Sequence, residues 1–220
     1  MGRRKNYERA TLLQRALGVF HRRGYRGATT ERLVGAMRVN RNSVYSEFGS
    51  KAGLMVAALE QYEHIVVEPL FGPLEGAGAT LDQIEALFAG FTESAVDAAG
   101  LGCLVCNVAA ELGDTEAALK PYVQRHFSRL EAAFRNALCG AVAAAQIAPK
   151  TSIDSEASFL MACCLGIFIR VRSGAEPKRI ASVIEATLRH LTSLRQTAGR
   201  RVSSVSSHDR PASQGKRVHA

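Results

Sequence analysis

From Tyr7 to Leu194 the apolar side chains recur every three or four positions, interrupted by glycine and proline and almost never alternating one by one. A chain patterned this way buries its apolar surface by packing helix on helix, so the expected fold is all-α with about nine helices. Tyr7–Arg23 sets Leu12, Leu13, Ala16, Leu17 and Phe20 at helical spacing and stops at Gly24. Thr29 or Thr30 is placed to cap a short second helix through Leu33, Val34 and Met37, and Asn40 a third reaching Phe48. A fourth, Lys51 to Glu68, carries Leu54, Met55, Ala58, Leu59, Tyr62 and Ile65; Pro69 ends it and makes "EPLFGPLEGAGA" a loop.

The pattern continues through the rest of the chain. Leu81, Ile84, Leu87, Phe88, Phe91 and Ala95 form a stripe, "GLG" at 100–102 breaks it, and Cys103 to Leu112 makes a shorter helix ended by Gly113. Asp114 is placed to cap a long helix reaching about Gln146, with Pro121 bending it or disturbing its first turn. Two more run from Asp154 to Ser173 and from Pro177 to Leu194. The remaining "RQTAGRRVSSVSSHDRPASQGKRVHA" has no period and few apolar residues and reads as disordered. The expected organisation is residues 1–50 as one domain, 51–194 as a larger helical domain, and 195–220 as a basic tail.

The formal net charge of +8 is divided unevenly. Residues 1–60 hold twelve Lys/Arg against four Asp/Glu, residues 61–194 ten against fifteen, and residues 195–220 six against one. A basic front end on a mildly acidic body points to a polyanion partner for the first 60 residues, with a merely solvated basic surface as the alternative. No apolar run is long enough to span a bilayer, and "MGRRKNYERA" lacks the apolar core of a signal peptide, so no membrane association and a cytoplasmic location are expected. Five cysteines, two of them adjacent, suit reduced thiols in that compartment.

The segment "NRNSVYSEFGSK", 40–51, is polar yet holds a valine, a tyrosine and a phenylalanine. Two short helices joined by a tight turn at Arg38–Val39 and preceded by a longer one are the pattern of a helix-turn-helix, whose second helix enters the DNA major groove. On that helix Val44 and Phe48, four apart, face inward, leaving Arg41, Asn42, Ser43 and Ser46 on the outer face. Tyr45 lies between the two faces, where its ring packs and its hydroxyl reaches a phosphate.

"GYRGATTERLVGAMRVNRNSVYSEFGSKAGLM", 24–55, resembles the DNA-binding domain of the TetR family of bacterial transcriptional regulators. It shares the Gly-aromatic-x-Gly-x-Thr-Thr approach to the second helix, the Tyr-x-x-Phe of the recognition helix and the Ser-Lys opening of the fourth. The resemblance implies base contacts from Arg41, Asn42 and Ser43, phosphate contacts from Thr29 or Thr30, Tyr45 and Lys51, and a body that binds an effector and dimerises. Two positions depart from the family pattern. Arg38 stands where a turn glycine is usual, at a cost of roughly 1 kcal/mol in a left-handed conformation. Glu47 replaces a phosphate-binding histidine and weakens that contact unless Arg41 or Arg38 pairs with it or it reads a cytosine amino group.

The body assembles no catalytic triad, phosphate loop or paired metal ligands, so no enzyme, cofactor or metal is expected. Cys103 and Cys106 have zinc or redox spacing but no second pair, and read as a buried core pair. The phrase "GLGCLVCNVAAELG", 100–113, resembles a TetR subgroup in which Gly-Cys-Leu opens the sixth helix and some members sense electrophiles or oxidants through that cysteine. A cysteine in a helix's first turn gains thiolate character from the dipole, which sets Cys103 as a sensor against Cys103 as packing. Asn107 and Glu111 share a face and are candidate effector contacts, with Glu111 alternatively pairing with a basic side chain. Cys139, Cys163 and Cys164 read as packing. Ile180, Val183, Ile184, Thr187, Leu188, Leu191 and Leu194 form a stripe, and Phe159–Ile169 is apolar nearly all round, more than one partner helix covers. A homodimer reading a palindromic double-stranded operator follows from the family resemblance. The expected function is a repressor released by a small-molecule effector or electrophile; the alternatives are a basic protein binding DNA without sequence preference, and a small-molecule enzyme or carrier.

Overall fold

Thr29, Asn40 and Ser50 each start a helix by accepting a hydrogen bond from a backbone N–H two or three residues into it: Thr29 from Arg32 at 3.4 Å, Asn40 from Ser43 at 2.7 Å and Ser50 from Gly53 at 3.0 Å. These caps define α2 (Thr30–Met37), α3 (Arg41–Phe48) and α4 (Lys51–Tyr62), which follow a longer α1 (Gly2–Gly27). The computed structural model describes the backbone of residues 2–97, 100–112 and 117–195, and their side chains apart from residues 2–8 and 93–97. The turn between α2 and α3 passes through Arg38 at φ 56°, ψ 43°, the left-handed conformation expected where a glycine is usual. A Cβ on Gly53 would stand 2.1 Å from the Phe48 carbonyl oxygen, so the missing side chain lets α4 start hard against the end of α3. Leu13, Ala16, Phe20, Leu33, Met37, Val44, Leu54 and Met55 fill the centre of this head.

Helix α1 runs one turn beyond its expected end. Gly24, at φ 70°, ψ 176°, kinks it rather than ending it, and a Cβ there would collide with the Glu111 carboxylate. The larger correction concerns Pro69. Helix α4 passes into a π-turn (Glu63–Val67) and on into α5 (Glu68–Glu75), so the expected loop is largely helical. Pro69 lies in the first turn of α5, where no N–H is required of it. Burial outweighs the break at Pro73: Phe71 and Leu74 are fully covered, Phe71 packs edge-on to Phe134 at 5.8 Å, and Asn136 donates to the carbonyls of Leu74 (2.7 Å) and Gly76 (3.2 Å) at the end of α5.

The body comprises α5, α6 (Leu81–Asp97), α7 (Leu104–Glu111), α8 (Lys120–Ala143), α9 (Ile153–Arg172) and α10 (Pro177–Leu194). Helix α8 runs through its middle, against α5, α6, α7 and α9. Phe134 stacks on Phe88 of α6 at 6.1 Å. Helix α8 begins at Lys120 with Pro121 in its first turn, later than expected; Gly113 and Asp114 lie outside the described residues. The α10 stripe is spent within the chain, because Ile180, Ile184, Thr187 and Leu191 are buried and the helix packs on α6 and α9. Uncovered apolar surface stands instead on α9, where Phe159 is 43% and Ile169 62% exposed. Cys139 is exposed, contrary to its expected packing role, while Cys164 is buried.

Arg195, expected in the tail, belongs to the fold. It bridges to Ile147 through its backbone, and its guanidinium meets Glu85 at 2.7 and 3.0 Å and also Asp82. Residues 196–220, the rest of the expected tail, lie outside the described residues. Among the described residues no helix is long and apolar enough to cross a membrane, and no cluster of three or more His, Cys, Asp or Glu could hold a metal ion.

Two helical glycines separate space from propensity. A Cβ on Gly140 would sit 2.0 Å from the Ala79 carbonyl oxygen, whereas one on Gly90 meets nothing within 4 Å. Gly90→Ala should stabilise by about 0.5–1 kcal/mol. Gly140→Ala should destabilise by roughly 1–3 kcal/mol despite the same gain in propensity, and thermal unfolding of the two variants checks the difference in sign.

Candidate DNA-binding surface and internal cavity

The outer face of α3 presents Arg41, Asn42, Ser43 and Ser46, all exposed, while Val44 is buried and Phe48 half-buried beneath them. The Arg41 guanidinium lies 5.4 Å from the centre of the Tyr45 ring, and the Tyr45 hydroxyl is 3.2 Å from Thr30 Oγ1. Tyr45 and Thr30 thus form one polar edge between α2 and α3. Thr29 is exposed at the N-terminus of α2, and Lys51 opens α4 with its ammonium 4.5 Å above the Tyr25 ring. Arg41 and Lys51 are thus held against aromatic rings and Thr29 by its cap, while the side chains of Asn42 and Ser43 stand exposed on α3.

Glu47 pairs with Arg9 at 3.0 Å rather than with Arg38 or Arg41. Helix α1 crosses the end of α3 there, and the Arg9 guanidinium also covers Phe48, 5.5 Å from its ring centre. Half-exposed, the pair contributes little to stability. Its effect is to balance the charge of the carboxylate at the end of α3.

Inside the body lies a cavity of about 300 Å³. Its wall takes Leu17 and His21 from α1, Tyr62 from α4, Val66 and Val67 from the π-turn, Phe91 from α6, Gly102 and Cys103 from the loop before α7, His126 and Leu130 from α8, and Ile167, Phe168 and Val171 from α9. The lining is overwhelmingly apolar, with its polar groups confined to His21, Tyr62, Cys103 and His126. The wall thus joins the DNA-binding head, through α1, to the helix with the uncovered apolar face.

The loop 100–103 is wedged between those two helices. His21 Nε2–H donates to the Gly102 carbonyl at 2.8 Å, and Arg172 of α9 donates to the His21 carbonyl at 3.1 Å. A Cβ on Gly102, at φ 61°, would come within 2.6 Å of the Phe168 carbonyl oxygen, so only glycine fits between loop and helix. Burial holds the His21 pKa below its usual value, which keeps the ring neutral.

Cys103 is the N-cap residue of α7, 6% exposed on the cavity wall. A hydrogen bond from Cys106, three residues on in the first turn, holds its pKa well below the ordinary thiol range against the opposing effect of burial, and His126 adds to the lowering. That hydrogen bond and burial push Cys106 far the other way. Asn107 and Glu111 do not line the cavity. Asn107 donates to the Leu101 carbonyl at 2.8 Å, closing the loop on α7. The Glu111 carboxylate accepts the Arg26 backbone N–H at 2.9 Å beside Gly24, fastening α7 to the end of α1.

Arg9, His21, Tyr62, Glu63 and His126 belong to these sites and carry no local signal in the sequence. Each is a single polar residue in a helical run, and Glu63 and His126 meet across 63 positions. The one hint is Gly102, a glycine beside a candidate cysteine, which marks a close backbone approach.

Two family models match the chain: one described as "Bacterial regulatory proteins, tetR family" over residues 12–58, and one as "Tetracyclin repressor-like, C-terminal domain" over residues 80–187. The HTH-type transcriptional regulator YezE of Bacillus subtilis (strain 168) is 26% identical over 190 residues, covering 86% of this chain and 98% of YezE. The HTH-type transcriptional repressor ComR of Escherichia coli (strain K12) is 26% identical over 193 residues, covering 86% of this chain and 90% of ComR. Among solved structures, a cysteine mutant of the regulator CifR with 26-base-pair double-strand operator DNA superposes with a TM-score of 0.73 at 28% identity, over 82% of this chain and 95% of CifR. A TetR regulator from Chloroflexus aurantiacus reaches 0.78 at 23% identity, over 89% and 100%. With the head matching one model and the body the other, the chain belongs to the TetR family of transcriptional regulators.

Proposed function

We propose that the chain is a homodimeric repressor of a palindromic operator, released when a small apolar ligand or electrophile enters the cavity beside Cys103. The observation that carries this reading is the shared wall: Leu17 and His21 of α1 line the same space as Cys103 and α9. A ligand there touches the helix on which the DNA-binding head is built, and needs no longer route to shift it. The relatives support the DNA half of the reading, since CifR is seen with operator DNA and ComR is named a repressor.

Base reading falls to Arg41, Asn42 and Ser43, and backbone contact to Thr29 or Thr30, Tyr45 and Lys51. The dimer forms through the exposed apolar face of α9, where Phe159, Ala162 and Ile169 share a side of the helix. Two recognition helices are then carried one turn of DNA or a multiple apart.

Three measurements test this. Arg41→Ala should relax preference at one operator position at a cost of about 1–3 kcal/mol, whereas Lys51→Ala should weaken all sequences alike and flatten the salt dependence, both read from binding titrations. Ile169→Arg should convert the dimer to a monomer by light scattering and sharply weaken binding to a two-half-site operator, with the melting of the monomer otherwise retained. Apolar fragments selected by thermal shift should lower operator affinity in the parent; in His21→Ala, compared at fragment concentrations that give the same stabilisation, a few kcal/mol at about 100 times Kd, they should release less DNA. Release undiminished in that variant would remove His21 from the coupling.

A further inference from the structure

Among the buried side-chain nitrogens and oxygens of the described residues, one has no hydrogen-bond partner: Nε2 of His126. The His126 side chain, on α8, is 1% exposed and forms part of two walls, that of the apolar cavity and that of a polar cleft beside it. Its Nδ1 is 2.9 Å from Glu63 Oε2, and Glu63, which lines the cleft and not the cavity, is held in turn by Arg129 at 2.7 Å and by the Tyr122 hydroxyl at 3.3 Å. Burial alone would raise the Glu63 pKa, but His126 and Arg129 bring it below its usual value, so the carboxylate is ionised and only accepts. Nδ1 therefore carries a hydrogen and turns that edge of the ring to the cleft, which leaves the Nε2 edge for the cavity. A buried polar atom without a partner costs stability and calls for a user. A lone water is poorly held there, since it needs about two to four polar partners and the lining is overwhelmingly apolar.

We propose that the ligand of the cavity is a small phenol, held without a covalent bond, whose hydroxyl meets His126 Nε2 and whose ring and alkyl substituent fill the apolar space. The assignment rests on the cavity being the effector site. A water molecule's share of the liquid, about 30 Å³, serves as the room one non-hydrogen atom needs, so the cavity of about 300 Å³ admits about ten of them. That is a benzene ring with a hydroxyl and a short alkyl chain. Phe71, Phe91 and Phe168 stand in the wall, the last two edge-on to each other at 5.4 Å, and offer a further aromatic ring both faces and edges to pack on. Glu63 is a positioning residue: it fixes which nitrogen of His126 is left for the ligand.

The head group follows from what Nε2 can accept and what the wall tolerates. Burial opposes charge on His126, but the Cys103 sulfur and Glu63 outweigh it and hold the imidazole pKa at about 9. Below that value Nε2–H donates, and above it the bare nitrogen accepts. A hydroxyl does both, so it satisfies Nε2 in either state, whereas an ether or ketone oxygen only accepts and loses its bond when the ring is neutral. A carboxylate fits less well for a different reason. It would share one imidazole with Glu63 and bring its charge into a cavity whose wall holds Cys103, where the hydrogen bond from Cys106 favours thiolate. A phenol adds no charge.

The test is calorimetric titration of the full chain near neutral pH with 4-propylphenol, propylbenzene, 4-propylanisole and sodium 4-propylbenzoate. The parent should bind 4-propylphenol at least about tenfold more tightly than propylbenzene, because the hydroxyl gains a partner that is otherwise left unpaired. The anisole and the benzoate should both bind more weakly than the phenol. His126→Phe keeps an aromatic ring at the site and removes Nε2, while Glu63 retains Arg129 and Tyr122; it should still bind propylbenzene and lose the advantage of the phenol, whose hydroxyl is then buried without a partner. Tyr62→Phe, which removes another hydroxyl from the wall, should keep that advantage. Equal binding of phenol and propylbenzene by the parent overturns the proposal, and this comparison needs no variant to fold. A phenol preference that survives in His126→Phe, or tighter binding of the anisole or the benzoate, overturns it as well. Operator release is measured separately. Binding of the phenol that depends on His126 but releases no DNA leaves the ligand class standing and removes the cavity as the effector site. Release by propylbenzene as readily as by the phenol keeps the effector site and removes His126 as its reader.

Discussion

The hydrogen bond from His21 to the Gly102 carbonyl, 2.8 Å long, is the joint on which the rest of the structure turns. It ties α1, the long helix of the DNA-binding head, to the loop that carries Cys103. The same His21 accepts Arg172 from α9 on its backbone carbonyl, and Gly102 presses against α9 at Phe168. Three elements therefore meet at one residue pair: head, the loop before α7 and the helix with the uncovered apolar face. Glu111 adds a second fastening, from the far end of α7 to the Arg26 N–H beyond the Gly24 kink. Because burial keeps His21 neutral, this joint is a dipolar contact rather than an ion pair, and salt screens it little.

A second constraint is the carboxylate of Glu63. It stands where α4 gives way to the π-turn, and its two oxygens are taken by Arg129, Tyr122 and His126. Although burial alone would raise its pKa, these partners hold it below the usual carboxylate value. The π-turn widens the helix by one residue per turn, and such turns recur at functional sites. Here it sets Val66 and Val67 on the cavity side and Glu63 on the cleft side, so one irregular turn serves both the apolar lining and the charged network behind it.

What the sequence exposed and what it hid follow from the range of the interactions. The cap at Asn40 and that at Thr29, one of the two threonines considered, act over three residues, and the spacing of Val44 and Phe48 over four, so the start of each short helix was legible. The left-handed turn at Arg38 was legible too, because its position is fixed by the two helices it joins. Pro69 misled, since its local effect is real but is overridden by Phe71 and Leu74 packing on a helix some sixty residues later and by Asn136 satisfying the carbonyls at the end of α5. On α10 the chain itself buries Ile180, Ile184, Thr187 and Leu191 and leaves Val183, Leu188 and Leu194 partly open, a division periodicity does not show because it marks a buried face and not which helix buries it. The place of Cys103 at a helix start was legible, whereas the contact between Glu63 and His126 was not, because neither differs in its neighbourhood from a solvated residue. Asn107 and Glu111 were placed on a shared face correctly enough to be noticed together, but that face is used to fasten the loop and α1.

Helix α9 explains how one cavity can govern two surfaces. Ile167, Phe168 and Val171 line the cavity, while Phe159 and Ile169 stand exposed on the other side of the same helix. A helix with its side chains is roughly 10–12 Å across, so the cavity and the exposed apolar face are separated by one helix thickness and no intervening layer. Close-packed helices shift as units instead of deforming continuously, and a side chain pushed at Phe168 moves the backbone that carries Ile169. The same push reaches α1 through Gly102 and His21. If the proposed ligand binds in this cavity, it acts on the separation of the two DNA-binding heads through both the hinge of each head and the proposed seat of the dimer on α9, and either displacement alone would spoil the register of two recognition helices on one operator.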